Sequence, residues 1–578
     1  MAGAELEFDI IVAGGGTTGC VVAGRLAAAD PSLSILILEA GPPTHEDLAH
    51  VQPARYLTHL LPGSQTVKRH VGKESADVGG RAQIVPSGHC LGGGSSVNFA
   101  MYARAAASDY DDWANVYGNP GWGSEDLLPL LRKIGKETHG YSGPLKVSYG
   151  GHFTNVGQQW LQVATQYDKE RTVTDDPNDL HTCNAYGFHW VTMPMCDIRW
   201  IDAETGRRSD VPHHYIYGRG LRNLTIMTGW NVKRVLIENS RAVGVEFVPN
   251  KQLNPDTTQM VRTARARRMV VLSAGAFGPG ALGDRQREAA PGAWDRVSCR
   301  PSRYHIVLFT PYHVADEAET LDGIVRSEES ELNKCGIDAG VKLRPSEREL
   351  AIIGPEFRQL WSEYYANAPD KPVMWLGILA QYVGDPSTVP ARKYCCADYF
   401  LDYPASIGYV HITSTDVDAP PDFDPKFLSC PEDLALLRWG YKHGREIIRR
   451  MPLYEGEYAP AHPAFSEEST AACRLQRAPA AIGDPPIVYT PQDDLAIDKF
   501  VRENAGTTWH SLGTCAMKAR EGAGVVDSRL NVYGVQGLKV ADLSIAPANV
   551  SANTYSTAVL IGEKAANLIA EELNICTV

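Results

Sequence analysis

The chain has 578 residues, 44% of them hydrophobic and 21% charged, which is ordinary for a globular protein of more than one folding unit. Lys and Arg number 55 against 68 Asp and Glu, so the net charge is −13. That balance excludes an electrostatic nucleic-acid binder or anionic-membrane binder, and we expect no partner of either kind.

The first element is dense. Phe8-Asp-Ile-Ile-Val-Ala13 reads as a buried strand, and Gly14, Gly16 and Gly19 follow as Gly-x-Gly-x-x-Gly. An alanine-rich helix comes next, then a second strand, Leu33 to Leu38, closed by Glu39. Gly14 allows the tight turn, Gly16 a close approach to pyrophosphate, and Gly19 close helix–strand packing. The helix amino terminus offers free N–H groups to phosphate. Glu39, 20 residues after Gly19, can accept from an adenosine ribose. An acid there disfavours a 2′-phosphate, which leaves NAD or FAD.

Residues 44 to 85 show no strong periodicity, apart from a turn at Gly79-Gly-Arg81. A second dense stretch, Leu91-Gly-Gly-Gly-Ser-Ser-Val-Asn98, exposes backbone N–H groups and small donors, suited to a flat ring or a phosphate. A surface glycine loop is the plainer reading; apolar residues on both flanks speak against it. From 143 to 212, short strand-like runs such as Leu145–Tyr149 alternate with polar loops. Leu224–Thr228, Val232–Ile237 and Ala242–Val248 alternate like half-exposed antiparallel strands. Arg268–Ala276 reads as a buried strand ending in small residues, and 278–304 has poor periodicity. From 305 to 495 come strands at His305–Phe309, Val373–Ile378 and Ile407–Ile412, and a helix over Pro431–Arg450.

The third dense stretch is Thr507-Thr-Trp-His-Ser-Leu-Gly-Thr-Cys-Ala-Met517, followed by a strand ending in Asp542 and a polar loop around Asn553. Neutral imidazole is the side chain best matched to taking a proton from an alcohol near neutral pH. His510 is the candidate, against the reading of a satisfied structural histidine. Asn553 can hold a substrate oxygen or simply cap a helix. Asp542 can turn the chain or reach a cofactor. The 12 cysteines are scattered without a Cys-x-x-Cys pair, so no metal site or disulfide framework is expected. The acidic start reads as no secretory signal, and no run is long enough to span a bilayer. Ser-Lys-Leu is absent from the tail, and an intracellular protein, peroxisomal or cytoplasmic, is expected.

Taken together, the three dense stretches resemble the glucose-methanol-choline (GMC) oxidoreductases, FAD enzymes, and within them most nearly the fungal alcohol (methanol) oxidases. Gly206-Arg-Arg-Ser-Asp210, Ser108-Asp-Tyr-Asp-Asp-Trp113 and Asn553-Thr-Tyr-Ser-Thr-Ala-Val-Leu-Ile-Gly-Glu-Lys564 carry the nearer likeness. The resemblance implies an α/β fold of two domains: a Rossmann-like FAD-binding domain (1–142, 213–304, 496–578) and a substrate-binding domain with an antiparallel sheet and helices (143–212, 305–495). It implies oxidation of a short primary alcohol (methanol, ethanol) to the aldehyde, O₂ going to H₂O₂, in a homo-oligomer that reaches an octamer in relatives. His510 becomes the base and Asn553 the partner of the substrate oxygen, with Phe99 and Trp509 as pocket walls. FAD contacts fall on Gly14, Gly16, Thr17, Thr18, Gly19, Glu39, Ala40, Leu91, Gly92, Gly94, Ser95, Asn98, Val232, Ala274, Asp542, Asn553 and Thr554. Val97 stands where some relatives carry a flavin-tethering histidine, so FAD is expected to be non-covalent.

After Phe277 the chain departs from the family pattern. Gly278-Pro-Gly-Ala-Leu-Gly-Asp stands where Thr-Pro and a leucine-rich helix are expected, and only His305 remains of an Asp-His end. Two other readings stay open: a family member acting on a larger alcohol (aryl alcohol or sugar), and a catalytically silent flavoprotein or oligomer-forming protein.

Overall fold

The computed structural model describes residues 6–134, 143–148, 152–174, 176–187, 199–255, 257, 260–278, 301–321, 335–475 and 478–576. Most of the divergent 278–304 stretch, from 279 to 300, lies outside them.

Apolar content dictates the first sheet. Strand Leu6–Ala13 is buried along its second half and sits between Ile35–Glu39 and Arg262–Leu272, parallel to both. Such two-sided burial fits the continuous Ile-Ile-Val-Ala run. Leu224–Thr228 extends the sheet beyond Ile35–Glu39, and Leu538–Val540 pairs with the end of Arg262–Leu272, both in parallel. Trp230–Glu238 and Arg241–Pro249 complete it as an antiparallel meander. The expectation of an antiparallel strand at Leu224–Thr228 is therefore corrected. Its alternation reflects an edge position, with a neighbour on one side only.

The second sheet is antiparallel, in the order Ile337–Leu343, Met374–Leu379, Lys393–Leu401, Ile306–Val314, Tyr454–Glu457, and Gly506–Thr507 also pairs with Ile306–Val314. Its two faces differ. Leu308, Tyr399 and Leu401 pack in one core with helix Pro431–Ile448, while Val307, Trp375 and Phe400 join the core of the first sheet. Strand alternation thus turns one face of this sheet toward the glycine-rich turns.

Two segments differ from the sequence reading. Val67–Ser75 and Arg81–Gly88 form a hairpin turning through Gly79 and Gly80, both at positive φ. Its first strand is mostly exposed, so it carries no apolar alternation. Helix Asn155–Tyr167 lies where strand-like runs and loops were expected; Thr154 Oγ1 accepts from Gly157 N at 3.2 Å at its start. Gly157 weakens helix propensity, but a Cβ there would lie 2.5 Å from Asp338 Cβ, so packing overrides propensity.

One buried carboxylate ties the site loop to the body. Asp109 accepts from Ser551 N (2.9 Å), Ser551 Oγ (2.8 Å), Ala106 N (3.1 Å) and Tyr403 OH (2.6 Å), and pairs with Lys371 at 3.4 Å. Removing one partner of such a group strands the rest in a dry interior. Asp109→Ala is expected to destabilise the fold by about 3–5 kcal/mol, to be read from chemical denaturation.

Candidate active site

The three dense stretches meet. Gly92 N donates to Gly15 O at 2.7 Å, Thr17 Oγ1 to Gly92 O at 3.1 Å, and Thr18 Oγ1 to Ala558 O at 3.0 Å. Helix Thr17–Ala29 packs on helix Tyr555–Leu573, and both amino termini open on one cleft. Aligned peptide dipoles make both ends favourable to negative charge.

That cleft has a volume of about 420 Å³, in the ~300–1,000 Å³ range of small-molecule sites. It runs from Glu39, Ala40 and Val232 at one end to Phe99, Trp509, His510 and Asn553 at the other. Gly14, Gly16, Thr17, Thr18, Gly94, Ser95, Asn98, Ala274, Asp542 and Thr554 line it between. Gly19, Leu91 and Gly92 lie behind its wall. A Cβ on Gly19 would meet Gly14 O at 2.2 Å, Leu91 is buried against Gly15, and Gly92 sits at φ +90° against Ser96 and Pro212.

Three glycines on the cleft face open space. A Cβ on Gly94 or Gly275 would meet nothing within 4 Å, and one on Gly16 nothing nearer than 3.7 Å. Gly275 also serves a turn at φ +71°, whereas Gly16, at φ −71°, is bare where any residue could adopt the backbone, which fits close approach by a bulky ligand.

Glu39 is buried, and burial raises its carboxyl to about 7. Gly15 N and Gly41 N donate to its two oxygens, each at 2.8 Å, and each oxygen retains a lone pair. Asp542 accepts from Gly275 N at 2.9 Å and Ser544 N at 2.8 Å, so it fixes the bare Gly275 turn. Asn98 Oδ1 accepts from Ala100 N and Arg208 Nη1, at 2.9 and 2.7 Å, and orders the loop.

At the far end, His510 Nδ1 lies 2.8 Å from Thr508 Oγ1 and 2.9 Å from His305 Nδ1, and Asn553 Nδ2 lies 3.5 Å from His510 Nε2. Two facing ring nitrogens share one proton. An amide N–H turned to Nε2 fits a lone pair there, which puts the His510 proton on Nδ1. Burial, and then the neighbouring His305, hold His510 well below the ordinary histidine value, and burial pushes His305 down to about 3. Both rings are neutral at physiological pH. Asn553 Oδ1 is buried without a partner among the described residues. Trp509 sits at φ +65°, a strained position for a bulky residue of the kind that collects at functional sites. Its ring lies 4.8 Å from Phe99, and Phe99 lies 4.1 Å from Tyr56.

His305, Phe309, Asp398 and Phe400 also take part. His305 stacks on Phe400 at 5.5 Å, and Phe309, Asp398 and Phe400 line the cleft. The sequence reading treated His305 only as a remnant of a motif. Alternation along 393–401 gives 398 and 400 a common face, but which face meets the cleft depends on long-range pairing.

A family model for GMC oxidoreductases matches residues 8–282, and its carboxy-terminal counterpart matches 404–562. The chain belongs to the GMC oxidoreductase family. It is 38% identical to the alcohol oxidase of Pichia angusta and 37% identical to that of Candida boidinii, each alignment covering 98% of this chain and 95% of the relative. Aspergillus oryzae formate oxidase superposes with a TM-score of 0.78 at 19% identity, over 99% of both chains. An FAD-dependent oxidoreductase from Chaetomium thermophilum gives 0.77 at 22%, over 98% of this chain and 100% of that one. The fold is thus the GMC fold, a Rossmann-like nucleotide domain with a sheet-containing second domain, and the cofactor is FAD. The bare glycines, the two helix ends and Glu39 fit it.

Among the described residues no group of His, Cys, Asp and Glu could hold a metal, and no helix is long and apolar enough to cross a membrane.

Proposed function

We propose that the protein is an FAD-dependent alcohol oxidase that converts short primary alcohols such as methanol and ethanol to aldehydes, with O₂ reduced to H₂O₂. The observation that carries this is the pairing of His510 Nε2 with the Asn553 amide at the end of the cleft, together with the likeness to yeast alcohol oxidases. His510 Nε2 takes the hydroxyl proton. The Asn553 amide, once turned from the ring to the substrate, donates to the resulting oxygen anion. Bound FAD supplies the acceptor for the carbinol hydride and the two electrons for O₂. Phe99, Trp509, Phe309 and Phe400 exclude water, which strengthens each charge-assisted contact.

In the same reading, Gly14, Gly16, Thr17, Thr18, Gly94, Ser95 and Thr554 hold the phosphates and flavin, Glu39, Ala40 and Val232 the adenosine, and Ala274 and Asp542 the segment between. Gly19, Leu91 and Gly92 shape the wall behind. Segments 1–142, 213–304 and 496–578 form the FAD domain, the remainder the substrate domain, and sheet membership supports this except that Gly506–Thr507 pairs with the second sheet and Pro301–Ser302 pairs with Gly408–His411. Assembly is homo-oligomeric, up to an octamer, in the peroxisome or cytoplasm, as the resemblance implies; light scattering reads the mass.

The test is to add methanol or ethanol to the purified protein without oxygen. Bleaching of the flavin absorbance, followed by H₂O₂ on readmitting air, is the expected result. Persistent flavin absorbance with every alcohol tried would leave a silent flavoprotein.

His305 positions the base. Because burial keeps His510 neutral, kcat/KM is expected to hold its value as pH falls through 6.5, the model-peptide histidine value, and to decline only lower. His305→Phe preserves the ring stack on Phe400 but removes the partner of Nδ1 and the ring that lowers His510. Turnover is expected to fall about 10-fold and the acid limb to move to higher pH. An unmoved limb would make His305 mere packing.

A further inference from the structure

Asp398 is a buried acid that the chemistry above does not use. It lies on strand Lys393–Leu401 and lines the cleft that holds Phe400, His510 and Asn553. The Phe400 ring is 5.9 Å from the His510 ring. Residues two apart on a strand share a face about 7 Å apart, so Asp398 stands one residue pair further from the base than Phe400. Its register neighbours are Phe309 on one side and Gly377 on the other, neither of which offers a side-chain donor. Asp398 is 5% exposed, and its Oδ1 is buried without a hydrogen bond among the described residues.

The contrast with other buried acids is informative. Glu39 takes two backbone N–H groups, and Asp433 takes those of Ala405 and Ser406. Asp398 takes none. Burial alone moves its carboxyl up to about 8, so near neutral pH it is mostly a protonated acid, both donor and acceptor. A buried carboxyl without a partner is costly and uncommon, and an alkyl chain of a simple alcohol would leave it unsatisfied. A hydroxyl, itself donor and acceptor, satisfies it fully.

We propose that Asp398 is a subsite for a second hydroxyl group of the substrate, so that short diols are preferred over monohydric alcohols of the same chain length. This rests on the reading that His510 deprotonates a primary alcohol, and it specifies what the other end of that alcohol carries. One hydroxyl sits at His510 and Asn553; the other reaches the carboxyl across the aromatic wall. A site built to bond a hydroxyl rejects the analogue lacking it far more strongly than a hydrophobic pocket rejects a missing methylene.

The test compares kcat/KM for the terminal diols from ethane-1,2-diol to pentane-1,5-diol with the 1-alcohols of the same length, from ethanol to 1-pentanol, on the FAD-loaded enzyme and on Asp398→Leu and Asp398→Asn, the longer diols being those that span from His510 to a carboxyl about 7 Å beyond Phe400. The native enzyme is expected to favour a diol by about 10-fold or more. Asp398→Leu is expected to lose that preference because diol kcat/KM falls at least about 10-fold further than that of the monohydric alcohols, with flavin content unchanged and the melting temperature raised. Asp398→Asn, which keeps a donor and an acceptor, is expected to retain most of the preference. A native enzyme that prefers the monohydric alcohols overturns the proposal while leaving the oxidase reading intact. So does an equal fall for both substrate classes in Asp398→Leu, accompanied by a lower melting temperature. A flavin-loaded enzyme that oxidises none of these alcohols overturns the oxidase reading itself.

Discussion

Replacing His510 by alanine is expected to lower alcohol turnover by about 10²- to 10⁴-fold while FAD stays bound. The ring is the sole base candidate among the described residues at this end of the cleft that is set up for the task. Thr508 and His305 hold Nδ1, which leaves Nε2 aimed at the Asn553 amide. The other histidine in contact, His305, is buried, and its facing nitrogen is engaged by His510. Retention of FAD is expected because the contacts proposed for it lie along the cleft from Glu39 to Thr554 and do not need an imidazole. Steady-state turnover, with flavin absorbance per chain, checks both halves. Turnover within a few-fold of native would move the base elsewhere.

Gly16→Val is expected to give a folded protein without FAD, whereas Gly14→Ala is expected to fail before that stage. At Gly16 the backbone is at φ −71°, open to any residue, and a Cβ would meet no chain atom nearer than 3.7 Å. The space it points into is the cleft proposed for the cofactor, so the valine methyls are expected to displace pyrophosphate and not protein. At Gly14 φ is +108°, and a Cβ would lie 2.4 Å from Ser273 O, a backbone atom at the end of the central strand. Strain of about 1–3 kcal/mol adds to a collision that shifts the strand. Circular dichroism and flavin absorbance per chain separate the two. Native flavin content in Gly16→Val would place the phosphates elsewhere.

What could be read in the chain was what is locally encoded. Gly14, Gly16, Gly19 and Glu39 carry their geometry within one strand–helix–strand unit, and their spacing alone predicts it. The Gly92–Asn98 loop and the His510–Asn553 pair were legible as unusual local composition, and the structure brings both to the same cleft. The pieces that escaped are set by partners distant in sequence. Leu224–Thr228 alternates like a hairpin strand, yet pairs in parallel with Ile35–Glu39. Helix Asn155–Tyr167 contains a glycine that Asp338 demands. Asp398 and His305 look like any acid and any histidine until Ile306–Val314 pairs with Lys393–Leu401 and brings their side chains over the glycine turns.

The central strand Arg262–Leu272 is flanked by the chain's first strand and by Leu538–Val540, and Thr18 bonds to Ala558 across 540 positions. Such contacts close the longest loops the chain has, and contact order of this kind slows folding. During synthesis the emerging amino-terminal strand must wait for nearly the whole polypeptide before its sheet is finished. The apolar face of helix Thr17–Ala29, where Gly562 packs on Val21, stays uncovered over the same interval. Chaperone engagement of the nascent chain, slow refolding from denaturant and aggregation of carboxy-terminal truncations all follow from this one arrangement.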